Sequence, residues 1–124
     1  MKRSDFEMLA DPLYFAENRL PAHSDHAFYR DEAELAEGNS SLVYSLDGLW
    51  HFAYAPNLAA CPMDFMEADV DCHEWETIRV PAHIQLEGYG KPHYTNTPYP
   101  WDGHEYVKPG EIPARENPVG CYVR

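Results

Sequence analysis

The chain has 124 residues, enough for one domain that buries ~65–70% of its unfolded surface if compact. A hydrophobic share of 44% and an aromatic share of 14% exclude a disordered segment. A net charge of −12 and a pI near 4.8 argue against a nucleic-acid or anionic-membrane partner, whereas a neutral glycan is indifferent to that sign.

The opening MKRSDFEMLADP starts basic, but Asp5, Glu7 and Asp11 interrupt it before an apolar run develops. It reads as neither a signal peptide nor a membrane anchor. Ser4 with Glu7 three positions on has the form of a capping box. Asp11-Pro12 predicts a second helical turn through Leu13–Glu17, with proline at the first helical position. DEAELAEG (31–38) predicts a third, stopped by Gly38. None is long enough to stand alone. Residues 1–46 are therefore expected to be an irregular, short-helical extension that lies on something else.

From Asp47-Gly48 the pattern changes to strand, and residues 47–124 are expected to form a β domain. In GLWHFAY (48–54), Trp50, Phe52 and Tyr54 share one face while Leu49, His51 and Ala53 share the other. WETIRV (75–80) predicts a second strand ended by Pro81. VGCYVR (119–124) predicts a third, with Val119, Cys121 and Val123 on one side. Three strands close neither a sandwich nor a barrel. The chain stops within the last of them and is expected to be the front of a longer polypeptide.

Seven prolines (81, 92, 98, 100, 109, 113 and 118) punctuate the stretch between the last two strands. A structureless run of that length is more often functional than idle. Within it, YTNTPYPWDG (94–103) carries three aromatic rings and an Asp-Gly turn signal on a backbone that cannot be helix or central strand.

Candidate chemistry elsewhere is sparse. Glu67, Asp69, Asp71 and Glu74 with Cys72 and His73 match neither a calcium loop nor a zinc motif and read as a solvated acidic loop. The seven histidines are scattered. Cys61, Cys72 and Cys121 are an odd count without close pairing, which suits the reduced thiols of a cytoplasm. Cys121, beside Gly120, reads as a small core residue. Asp102, Glu105, Glu111 and Glu116 lie in the long loop, but nothing singles out the pair that glycosidic hydrolysis needs. Asn96 offers an acceptor and a donor on one short arm, and Tyr94, Tyr99 and Trp101 offer flat faces with polar tips. Residue types alone leave open whether these bind a sugar or brace a turn.

The order of motifs carries more. SLDGLWHFAYAP, then WETIRVPAHIQLEGYGKPHYTNTPYPWDG, then ENPVGCYVR resemble the amino-terminal sugar-binding domain of the family-2 glycoside hydrolases, and within them the large bacterial β-galactosidases. NRLPAHSDHAFYRDEAEL (18–35) resembles the segment preceding that domain. The resemblance implies an all-β fold, a jelly-roll sandwich of which this chain is the first part. It implies that the catalytic glutamates, and the magnesium and sodium ions of the parent enzyme, belong to regions downstream. By motif, Asn96 is the residue that reaches a galactoside in a neighbouring active site. Tyr94 helps hold that amide, and His93 and Trp101 stand at the rim. Implied partners are the galactoside, the remainder of the chain or a complementary subunit, and further copies of the parent. The alternative is a non-catalytic carbohydrate-binding or assembly module.

Overall fold

The computed structural model describes residues 8–92, 99 and 101–124. They divide into two units, Ala16–Asp47 and a larger one of Gly48–Arg124 with the described residues up to Phe15. No helix among them is long and apolar enough to cross a membrane.

In the smaller unit, helix α1 (Glu32–Glu37) has the boundaries that its caps dictate. The Asp31 carboxylate accepts from the Ala33 and Glu34 amides at 3.1 and 3.0 Å, satisfying donors that have no intrahelical partner. Gly38 closes the other end at φ 68°, a left-handed conformation that suits glycine. Glu34 is buried and turned back on its own surroundings. Its Oε2 accepts from the Arg30 amide at 2.9 Å and the Ser41 amide at 3.3 Å, while Oε1 meets the Arg30 guanidinium at 3.1 Å. Hydrogen bonds from Ser41 and then Arg30 hold this carboxyl below its usual range. Residues 31–38 are thus the helix expected from sequence.

The chain start is different. Ser4 and Glu7 lie outside the described residues, and a 3-10 turn occupies 8–10. Leu13–Glu17 is not helical. The Asp11 side chain accepts from the Leu13 amide at 2.9 Å and its carbonyl accepts from the Tyr14 amide at 3.0 Å. That closes a single turn, and the short carboxylate outcompetes helix propagation.

The larger unit is built on one three-stranded antiparallel sheet, order β2-β1-β3, from β1 (Gly48–Ala55), β2 (Glu76–Val80) and β3 (Val119–Val123). The first half of β1 pairs with β2 (Gly48 opposite Val80 to Phe52 opposite Glu76). Its second half pairs with β3 (His51 opposite Val123 to Ala55 opposite Val119). Among the described residues, only His51 and Phe52 are paired on both sides. Among the described residues the architecture is therefore β with little helix.

Period-two alternation sorts the side chains as expected. On one face, Phe52 is 1% exposed and packs against Tyr122 and Tyr89 with ring centroids 4.8 and 4.6 Å apart. Tyr54 stacks on Tyr89 at 6.0 Å, and Trp50 meets Tyr122 edge-on at 6.3 Å, with the Arg124 guanidinium 5.9 Å above the indole. The opposite face holds Ala53, Ala55, Val119 and Cys121, covered by Cys61, Met63, Phe65 and Trp75 from the connection that leaves β1. Cys121, fully buried, is the core residue that the sequence indicates.

The run after Pro81 is not structureless at its start. Residues His83–Tyr89 wind through a turn in which Leu86 and Glu87 amides donate to the His83 carbonyl and Tyr89 donates to that of Ile84. The turn drops Tyr89 onto Phe52. The Tyr89 hydroxyl donates to Glu76, which with desolvation pushes its pKa up to about 12. Gly90 lets the backbone pass under Tyr54, since a Cβ there would lie 2.7 Å from the Tyr54 hydroxyl. At Gly120 a Cβ would lie 2.8 Å from Phe52 Cε2 and 3.0 Å from Ile84 Cδ1. Gly120→Ala is therefore expected to overpack this face and cost about 1–3 kcal/mol. A lowered urea midpoint would register it, and an unchanged midpoint would contradict the packing described.

Candidate functional site

Asn96, Tyr94 and His93 lie outside the described residues, whereas Trp101 and Tyr99 lie within them. The two rings stack at 4.9 Å with 3° between their planes. Tyr99 is 64% exposed, so this stack presents aromatic surface to solvent. Its backbone is tied locally. The Tyr99 amide donates to Asp102 Oδ2 at 2.7 Å, and the Asp102 amide donates to the Tyr99 carbonyl at 3.0 Å. The Trp101 carbonyl accepts from both His104 and Glu105, at 3.0 and 2.9 Å. Gly103, at φ 80°, takes the left-handed position of the Asp-Gly turn.

Of the loop carboxylates, Asp102, Glu105 and Glu111 are committed to their own backbone. Glu105 grips the returning chain: Oε1 accepts from the Ala114 amide at 2.9 Å and Oε2 from the Arg115 amide at 3.0 Å. Glu111 Oε2 accepts from the Lys108 amide at 3.0 Å. Glu116 stands 3.8 Å from His104 Nε2. Amide donors from Ala114 and then Arg115 hold the Glu105 carboxyl below its ordinary 4.5. A general acid needs its proton near neutral pH, so Glu105 is suited to bracing the loop rather than to protonating a leaving group. Sequence gave no hint of this clamp, because its donors lie nine and ten residues away.

The acidic stretch is likewise folded on itself. Asp71 Oδ1 accepts from the His73 amide at 2.9 Å, and Glu74 meets His73 Nδ1 at 3.1 Å on an exposed surface. Among the described residues no three His, Cys, Asp or Glu side chains gather as a metal ion would require. A shallow groove lined by Tyr54, Gly90, Lys91, Arg115 and Glu116 lies beside the sheet. It combines an aromatic wall with both signs of charge, and Lys91 is two residues before His93 in the chain.

Residues 43–124 match the glycosyl hydrolases family 2, sugar binding domain, and the chain belongs to that family. It is 51% identical over 122 residues to a β-galactosidase of Halalkalibacterium halodurans, covering 98% of this chain and 12% of that protein. It is 43% identical over 122 residues to a β-galactosidase of Lactobacillus delbrueckii subsp. bulgaricus, with the same coverage of 98% and 12%. A β-galactosidase large subunit of Leuconostoc lactis is 46% identical over 134 residues, covering 98% of this chain and 21% of that subunit. The chain thus spans between about an eighth and a fifth of the length of these relatives.

The Glu105 clamp has a pH signature. Because its folded-state pKa lies below 4.5, its contribution is complete above that value and fades as the pH falls through the lowered one. In an NMR titration the Ala114 and Arg115 amides are expected to shift together with a midpoint below 4.5. In Glu105→Gln that transition should be absent. A wild-type midpoint at or above 4.5 would contradict the clamp.

Proposed function

We propose that this chain is the front of a β-galactosidase that hydrolyses terminal non-reducing β-D-galactose residues, as in lactose, with retention at the anomeric carbon. The observation that carries the reading is the match of residues 43–124 to a sugar binding domain, the span that contains Asn96. The proposed role of the chain is positioning. Asn96 presents an amide whose carbonyl accepts and whose NH₂ donates, the complement of neighbouring hydroxyls on a pyranose. Tyr94 holds that amide, and His93 and Trp101 form the rim. Contacts of this kind act through binding expressed in the transition state and through orientation of the reacting bond.

The proton transfers and the covalent step are assigned to carboxylates in the remainder of the parent, and Asp102, Glu105 and Glu111 support that division by being engaged with backbone amides. The 124-residue chain alone is accordingly expected to be inactive. The magnesium and sodium ions inferred for the parent are assigned to that remainder as well, and no step here is routed through them. Completion of the three-stranded sheet by following strands would yield the jelly-roll sandwich, with residues 1–46 as the extension before it. Cytoplasmic residence and assembly of the parent into a homo-oligomer complete the proposal. A second reading, an assembly module completing a separate chain, is favoured by relatives named as large subunits.

In the full-length enzyme, Asn96→Ala is expected to lower kcat/KM for galactosides at least tenfold, about 1.4 kcal/mol of transition-state stabilisation, with circular dichroism and thermal midpoint unchanged. A ratio held within a factor of about two would remove Asn96 from the site.

A further inference from the structure

We propose that Cys61 and Cys121 form a site of reversible oxidation, at which a hydroperoxide converts the two thiols to an intramolecular disulfide. The inference is independent of the sugar-site reading and rests on where the fold puts two residues sixty apart in sequence. Cys121 sits in β3 opposite Ala53, with no exposure. Cys61 follows the 3-10 turn Leu58–Ala60 and is 6% exposed. Their Sγ atoms are 3.0 Å apart, so a covalent bond of ~2.0 Å needs an approach of about 1 Å. The surrounding side chains are apolar: Ala53, Ala55, Met63, Phe65, Trp75 and Val119. The Cys61 thiol also reaches the Pro62 carbonyl, at 3.7 Å.

The two sulfurs have different parts. Cys61 lies at the end of a short turn held by an Asn57 cap and the Cys61 amide's bond to the Leu58 carbonyl. Such a turn opens more readily than a paired strand, which makes Cys61 the sulfur that meets the oxidant. Cys121, with no exposure and held in a paired strand, reacts second. The Cys61 thiolate attacks one peroxide oxygen, the O–O bond breaks, and the other oxygen leaves as an alcohol or water carrying the thiol proton. Cys61 is then a sulfenic acid. Cys121 Sγ attacks Cys61 Sγ, the S–S bond forms, the S–O bond breaks, and hydroxide departs as water with the Cys121 proton. The two sulfurs together lose two electrons and the hydroperoxide gains them. In a compartment that keeps thiols reduced, such a bond forms transiently and is reversed by thiol exchange. Its structural effect is to tie the turn leaving β1 to β3, closing the loop that contains β2 and the proline-rich run.

Cys72 is an internal control. It is half-buried, more accessible than either partner, and its Sγ faces the Val70 carbonyl at 3.8 Å. The test uses the full-length polypeptide that carries this chain. It is exposed to hydrogen peroxide under native conditions, quenched with catalase, alkylated with iodoacetamide and mapped as non-reduced peptides. The expected product is a linked Cys61–Cys121 peptide pair, two hydrogens lighter than the two thiol peptides, lost on treatment with dithiothreitol and still formed in Cys72→Ser. Recovery of Cys61 and Cys121 as separate alkylated or over-oxidised peptides would overturn the proposal. So would linkage of either to another cysteine, or a bond that forms only after denaturant is added.

Discussion

Everything in the larger unit depends on β1 being paired along both edges and covered on both faces. His51 and Phe52 are the two residues where β2 and β3 overlap across it, and Phe52 is where the ring cluster converges. Tyr122 reaches it from the neighbouring strand and Tyr89 from the turn after β2. On the other face the small side chains of Ala53, Ala55 and Cys121 admit Cys61, Phe65 and Trp75 close to the sheet. Large rings on one side and small residues on the other let a three-stranded sheet bury both surfaces over its middle, although the hydrophobic material is limited. The design has a margin: Leu49 is 71% exposed, so the cover does not extend to the start of β1.

The same economy governs charge. A chain with twenty-one acidic residues has many carboxylates to accommodate. Asp31, Glu34, Asp71, Asp102, Glu105 and Glu111 each accept from backbone amides. A loop rich in proline cannot satisfy its amides by regular pairing, and side-chain oxygens do so instead. Asp102, Glu105 and Glu111, which resemble candidates for catalysis on composition, therefore brace their own loop, and for Glu105 the amide donors favour the ionised form. That engagement is the physical argument behind the positioning role proposed for this chain.

Much of the fold was legible in the sequence where information is local. The alternation in 48–54 sets which face each residue occupies whatever its partners are, and Asp31 and Gly38 mark their helix ends by side-chain chemistry and backbone freedom. The segment after Asp11 is a turn and not the expected helix because Asp and Pro open helices and turns alike, and the carboxylate's bond to the Leu13 amide decides between them. Long-range contacts had no local signature: Tyr89 with Glu76, Glu105 with the 114–115 amides, and Cys61 with Cys121. Of the site, Trp101 and its stack with Tyr99 are described, while Asn96, Tyr94 and His93 rest on the order of motifs. No periodicity could have singled out one asparagine in a loop, since its proposed ligand lies outside the chain.

The central claim is that this chain contributes to galactoside hydrolysis without containing the catalytic centre. The most direct measurement mixes the purified 124-residue chain with a β-galactosidase polypeptide lacking the corresponding region and follows release from a chromogenic galactoside. The account predicts hydrolysis by the mixture and by neither component alone. Turnover by the 124-residue chain on its own would contradict it.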